Sequence, residues 1–395
     1  MNSLKEKIVF VCQRYGMEVN GGAEAECRMY AERMTPFYEV EVITTCALDY
    51  VTWDNEYPAG VSNLNGVTVL RFPTVRSRNQ KSFDKATAAV LRPDHTDAEE
   101  KKWLEEQGPV APEALRYLRE HGKEYKAVIF MTYLYYLSAR GLLDDCGRTV
   151  LIPTAHDEWP IYLRCFQPVY QRAEKFIYNA WAEKAFVEKL FPATVGKPGV
   201  VVGSGVVYPQ GELPDVKEHF GIEGPYICYS GRIDESKGCG MLFRYFEEYK
   251  KRRGGELKLV LTGKAVMPVP QRADVFSLGF VSEEEKYAVM RGAEAFVLAS
   301  QFESLSIVVL ESMMMGRPVL VNGKCEVLKD HCTHSNAGLY FTNYAEFEAT
   351  LTYLLTHPEA YRQMCENGKR YVQENYQWDT IVEKIHGLIE DGAET

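Results

Sequence analysis

From residue 7 to residue 341 the chain alternates short apolar runs with segments of helical spacing. Runs at 7–12, 39–45, 67–72, 127–132, 149–154 and 176–180 form one set. Runs at 226–230, 258–261, 275–278, 295–299, 319–321 and 338–341 form a second. Strand-like runs separated by helices imply βα units on a parallel sheet. Between the sets lies a stretch rich in turn formers: Gly203, Gly205, Pro209, Gly211 and Pro214. Such a passage reads as an interdomain linker. The expectation is therefore an α/β protein with one domain over 1–205 and another over 206–376. An amphipathic segment, 379–390, follows with Ile381, Val382, Ile385, Leu388 and Ile389 on one side, and it suits either domain.

A chain of 395 residues agrees with two domains rather than one. A net charge of −10 leaves no basic excess to release counterions, which argues against bulk nucleic-acid binding. The first residues run straight into the strand-like Ile8-Val-Phe-Val11, with no signal-peptide pattern, and no apolar run is long enough to span a membrane. The expected location is cytoplasmic, with a peripheral place at the inner membrane face as an option. Ten scattered cysteines, several inside strand runs, suit buried free thiols better than a disulfide framework. Cys325, His331, Cys332 and His334 match no zinc spacing, so no metal is expected.

The most informative stretch is 298–322, which reads as strand, loop, helix and strand. Glu303 lies in the loop, and Glu311 lies about two turns into a helix expected over 304–315. The first N–H groups of that helix, around Leu305, Ser306 and Ile307, lack intrahelical partners and form an anion site by geometry and dipole. Two acids bracketing an anion site suit a ligand with a phosphate end and a hydroxyl-rich end, as a nucleotide sugar has. In the loop after run 226–230, Arg232 and Lys237 add two cations that suit a diphosphate. Gly21-Gly22, after Asn20 and at the start of a helix, lets backbone approach a phosphate but is not a dinucleotide fingerprint. His156, at the end of run 149–154, can donate to a sugar hydroxyl. Gly263 and Val281 follow two further strands, where backbone can grip a nucleobase.

These residues resemble the family 4 glycosyltransferases of the GT-B fold over essentially the whole chain. The resemblance rests on Gly21-Gly22, Gly231-Arg232 with Lys237-Gly238, Glu303 and Glu311 eight apart, and Met315-Gly-Arg-Pro-Val319. It implies two Rossmann-like domains facing a central cleft, with residues 377–395 crossing back to the first. It implies Arg232 and Lys237 on the diphosphate, Glu311 on the ribose and Glu303 at the donor sugar. Leu305, Ser306 and Ile307 would lie near sugar and phosphate, Gly22 near the phosphate, and His156 on the sugar. It implies retention at the anomeric carbon, no cofactor and no required metal. Where the family often has glycine in the turn after the first acid, this chain has Ser304-Leu305-Ser306, and serine capping is expected to preserve the anion site.

The expected activity is transfer of a hexosyl or deoxyhexosyl group from a nucleoside diphosphate sugar to a glycan or lipid-linked acceptor, in polysaccharide synthesis. A nucleotide-sugar epimerase and a non-catalytic partner of a transferase are the alternatives. A charged insertion, 75–123, bears on the acceptor. Its first part is basic (Arg76, Arg78, Lys81, Lys85, Arg92) and its second part acidic. It reads either as a pair of solvated helices or as a basic surface for an anionic acceptor or a membrane.

Overall fold

The computed structural model describes residues 5–19 and 21–390. Asn20, residues 1–4 of the strand-leading segment and 391–395 of the C-terminal segment lie outside them. The chain forms two compact units: 1–179 with 183–202 and 382–395, and 180–182 with 203–381.

The first unit is built on eight strands: β1 (Lys7–Val11), β2 (Glu39–Thr45), β3 (Gly60–Leu64), β4 (Val67–Phe72), β5 (Ala127–Met131), β6 (Thr149–Ile152), β7 (Lys175–Tyr178) and β8 (Gly199–Val201). Their order is β3-β4-β2-β1-β5-β6-β7-β8. All neighbours are parallel except β3 with β4. β1, β5 and β6 read as continuous apolar runs because helices cover both faces of a parallel sheet; Ile8, Phe10, Val128, Phe130 and Leu151 are fully buried.

The passage read as a linker is partly structural, since Gly199–Val201 is the edge strand β8 and Val202 is buried. The insertion forms three helices, not a solvated pair: Gln80–Val90, Asp97–Gln107 and Pro112–His121. They bury Trp103, Leu104, Leu115 and Leu118 in the unit's core. The last helix, Trp378–Ile389, returns to this unit from Val382 onward. There Tyr38 Oη donates to Glu390 at 2.7 Å, and Lys175 Nζ donates to the Leu388 carbonyl at 2.7 Å.

The second unit has six parallel strands: β9 (Tyr226–Ser230), β10 (Lys258–Thr262), β11 (Val275–Ser277), β12 (Ala295–Leu298), β13 (Val319–Asn322) and β14 (Gly338–Phe341). Their order is β11-β10-β9-β12-β13-β14. In each sheet the chain reverses its direction of travel once, between β1 and β5 in the first and between β9 and β12 in the second. Ligands of open α/β sheets bind beyond the carboxyl ends of strands at such a reversal.

Candidate functional site

The reversal in the second sheet places the loops after β9 and β12 side by side. Lys237, from the first loop, donates to Glu303 Oε1 of the second at 2.8 Å. Gly238 allows this approach. It has φ 73°, and a Cβ there would lie 2.2 Å from the Ala299 carbonyl. Gly263, at the end of β10, is needed for the same kind of reason: φ is 120°, and a Cβ would lie 2.0 Å from the Gly231 carbonyl. Gly263 N–H donates to Gly279 at 2.7 Å, so the ends of β9, β10 and β11 are tied together.

Asp234 organises the loop after β9. It accepts from Ser236 Oγ at 2.6 Å and from Lys237 N–H at 2.9 Å, and it pairs with Arg232 Nε. Burial opposes its ionisation, but these hydrogen bonds and the guanidinium hold its pKa below the usual range. Arg232 is exposed and turned toward Asp234, whereas Lys237 faces Glu303.

The helix after Glu303 runs Ile307–Met314, starting three residues later than the expected 304. Ser306 is its N-cap, in the left-handed region at φ 65° and ψ 68°, and its side chain makes no capping bond. Serine capping, expected above, is thus absent at this position. Ser306 instead takes a backbone conformation that glycine adopts freely, and its buried Oγ has no partner. The first-turn amides are left without a side-chain cap. A strained residue with an unsatisfied hydroxyl persists only where surroundings impose it, and such residues cluster at binding sites. Ser306→Gly is expected to stabilise the protein by about 1 kcal/mol, as strain relief and loss of the orphan hydroxyl outweigh the added unfolded-state entropy. A melting curve checks this; a lower melting temperature would mean that the hydroxyl caps the helix after all.

Glu311 is buried, and its Oε1 accepts from Lys286 Nζ at 2.9 Å and Tyr287 Oη at 3.0 Å. Its Oε2 is buried with no partner. Burial raises its pKa, against the pull of Lys286. One oxygen is anchored and the other is left to accept, which suits a ligand hydroxyl. Val281 lies just before the capped helix Glu283–Gly292 that brings Lys286 and Tyr287 to this acid. Neither partner was legible in the sequence, because nothing in the spacing of residues 286 and 311 links them.

Leu305 is held from behind. His331 Nε2 lies 2.7 Å from its carbonyl, and Nδ1 lies 3.2 Å from Tyr371 Oη. Burial lowers the His331 pKa, so the ring is neutral, with Nε2–H the donor to the carbonyl. Among the described residues, no three His, Cys, Asp or Glu side chains could hold a metal ion.

Gly21, Gly22 and His156 belong to the first unit. Gly21 is the N-cap of the helix Gly22–Met34, and a Cβ there would lie 2.1 Å from Glu24 Oε2. At Gly22 a Cβ would meet nothing within 4 Å. His156 follows β6, with Nε2 3.5 Å from Glu158 Oε2, and Glu158 Oε1 accepts from Tyr133 Oη at 2.7 Å. The second unit carries Arg232, Lys237, Gly263, Val281, Glu303, Leu305, Ser306, Ile307 and Glu311 and brings Lys237 against Glu303, while in the first unit Gly21 and Gly22 open the helix after β1 and His156 follows β6.

Residues 215–371 match the family model described as glycosyl transferases group 1. Alpha-D-kanosaminyltransferase of Streptomyces kanamyceticus is 28% identical over 191 residues, 44% of this chain and 48% of that protein. Glycosyltransferase 1 domain-containing protein 1 of Xenopus tropicalis is 32% identical over 171 residues, 41% of this chain and 48% of that protein. The chain therefore spans about half the length of these curated relatives, 48% in both cases. Among solved structures, sucrose-phosphate synthase from Thermosynechococcus elongatus superposes with TM-score 0.67 at 16% identity, over 98% of this chain and 99% of that one. HepE of Anabaena, in complex with UDP and glucose, does so with TM-score 0.66 at 14% identity, over 98% and 100%. The fold is GT-B.

Proposed function

We propose that the chain transfers a glycosyl group from a nucleoside diphosphate sugar to a hydroxyl of an acceptor. One observation carries the reading: Lys237 and Glu303 meet at 2.8 Å where the second sheet reverses, beside a helix start with no side-chain cap. The family match over residues 215–371 covers the same residues. Within it, Arg232, Lys237 and the amides near Leu305 to Ile307 take up the charge developing on the leaving diphosphate. Groups already fixed before the reaction do this without a reorganisation cost. Glu311 accepts from the ribose through its partnerless oxygen. Glu303 orients the donor sugar, His156 contacts sugar, and Gly21, Gly22, Gly263 and Val281 offer backbone to phosphate or base.

The finer reading is a retaining family 4 enzyme, independent of metal, that moves a hexose or deoxyhexose onto a glycan or lipid-linked acceptor in polysaccharide synthesis at the cytoplasmic side of a membrane. Among the described residues no helix is long and apolar enough to cross a membrane. A melting-temperature screen of nucleoside diphosphates and their sugars tests the donor assignment, since a ligand present at about a hundred times its Kd adds about 2.7 kcal/mol. The matching donor is expected to raise the melting temperature and to be turned over in excess chelator. Strict dependence on a divalent ion would overturn the metal-free account, and epimerised donor without acceptor would overturn transfer itself.

A further inference from the structure

His331, in the helix Glu326–Ser335, is the only buried histidine among the described residues. Tyr371 and Tyr376 meet its ring edge-on, with centroids at 6.1 and 5.9 Å. The two phenols also meet each other, Oη to Oη at 3.2 Å. Nδ1 accepts from Tyr371 Oη at 3.2 Å, which leaves Nε2–H as the donor to the Leu305 carbonyl at 2.7 Å. No other donor reaches that carbonyl among the described residues. Its sequence neighbours take no part. His334 is exposed and pairs with Asp330 at 2.9 Å, and Cys332 Sγ lies 3.7 Å from the Leu339 carbonyl.

The Leu305 carbonyl shares a peptide plane with the Ser306 N–H. That peptide is trans, so the two groups point to opposite sides. A carbonyl held on His331 therefore aims the N–H away from the histidine. This N–H has no partner among the described residues, and Ser306 is buried. An unpaired amide on a buried residue costs free energy until an acceptor arrives. The partnerless Ser306 Oγ beside it is a second orphan. The same peptide sets the strain. Turning it over would carry Ser306 from φ 65° to the negative side, where serine is at ease. It would also put an oxygen where the N–H now stands, and an oxygen repels an anion. The bond from His331 opposes that turn.

We propose that His331 is a positioning residue for glycosyl transfer: it pins the peptide between Leu305 and Ser306 so that the N–H is presented to the leaving diphosphate. The proposal rests on the transfer reading above, in which these amides face the diphosphate. It gives the left-handed Ser306 a cause, and it makes donor binding depend on a buried residue that touches no ligand.

The test uses the full chain and its His331→Gln and His331→Asn variants. Glutamine places an amide nitrogen near the position of Nε2 and keeps a donor for the carbonyl. Asparagine places it near Nδ1 and leaves the carbonyl free. The diphosphates of uridine, guanosine, adenosine, cytidine and thymidine are the probes. In His331→Asn the Kd of the diphosphate that binds the native chain is expected to rise about tenfold or more, the share of one charge-assisted hydrogen bond, and in His331→Gln by much less. A merely structural histidine would lower the melting temperature of both variants and leave that Kd as it was, which overturns the proposal. If His331→Asn does not fold, Tyr371→Phe takes its place. It is expected to raise the Kd about twofold or more, as Nδ1 becomes free to compete for the proton, and an unchanged Kd overturns the proposal equally.

A second measurement needs no ligand. Ser306→Gly is expected to raise the melting temperature of the native chain and to lose that gain in His331→Asn, where the peptide has turned and Ser306 is relaxed. An undiminished gain in both backgrounds, or a crystal structure of His331→Asn with Ser306 still near φ 65°, sinks the idea. Failure of every diphosphate to bind the native chain would instead count against the transfer reading, which the Ser306→Gly comparison does not depend on.

Discussion

Lys237→Ala is expected to lower kcat/KM for glycosyl transfer by roughly ten- to a hundredfold. A charge-assisted hydrogen bond contributes about 1.5–3 kcal/mol, and each ~1.4 kcal/mol is a factor of ten in rate. Lys237 is held before any ligand arrives, by Glu303 Oε1 at 2.8 Å and by its own N–H on Asp234 at 2.9 Å. That fixed position makes it effective on a leaving group. The fold is expected to tolerate the change, since the lysine side chain is 35% exposed. Lys237→Arg should recover part of the activity, because it keeps the charge but not the shape. Steady-state kinetics beside a melting curve decide the matter. Undiminished turnover in a folded Lys237→Ala protein would remove the lysine from the diphosphate and, with it, the main support for the proposed chemistry.

The residues that made this site legible are those whose chemistry is tied to a strand end. Runs 39–45, 67–72 and 226–230 are strands β2, β4 and β9 over the same residues, because a largely buried parallel strand is a word rich in β-branched and aromatic residues. The missed strands are the ones without such a word. β3 is almost wholly exposed and pairs antiparallel with β4 through Asn65 and Gly66, both at positive φ, and an Asn-Gly pair is a hairpin signal that was there to be read. β8 is three residues long and half-buried, inside a stretch whose glycines and prolines pointed to a linker.

In the site, Glu303 and Lys237 could be named, but not that they touch, since their meeting depends on the strand order that sets β9 beside β12. Ser306 looked like a cap because serine so often is one. The backbone there turns left-handed, and that leaves the side chain out of reach of the amides. The His331–Leu305 contact was equally hidden, joining residues that are 26 apart through two crossovers.

A second large effect is expected on stability, at Glu26 in the helix Gly22–Met34. The acid is buried and accepts from Tyr30 Oη at 3.1 Å and Asn179 Nδ2 at 3.2 Å. Burial raises its pKa from 4.5 to about 7, against those two bonds. A carboxyl whose folded pKa is raised contributes stability that is whole below the unfolded value and is lost as pH rises through the folded one. Between pH 4.5 and about 7 the shift of ~2.5 units therefore costs about 3 kcal/mol at ~1.4 kcal/mol per unit. Glu26→Gln removes the ionisation and keeps the shape. Its amide can also donate to Asn179 Oδ1, which is buried and partnerless in the native protein. The variant should melt roughly 6–12 °C higher than the native chain at pH 8, at 2–4 °C per kcal/mol for a unit of this size, with the difference closing near pH 4. Melting curves across that range test the sign as well as the size. A gain that persists undiminished at pH 4 would mean that packing, and not the buried charge, is what the glutamine improves.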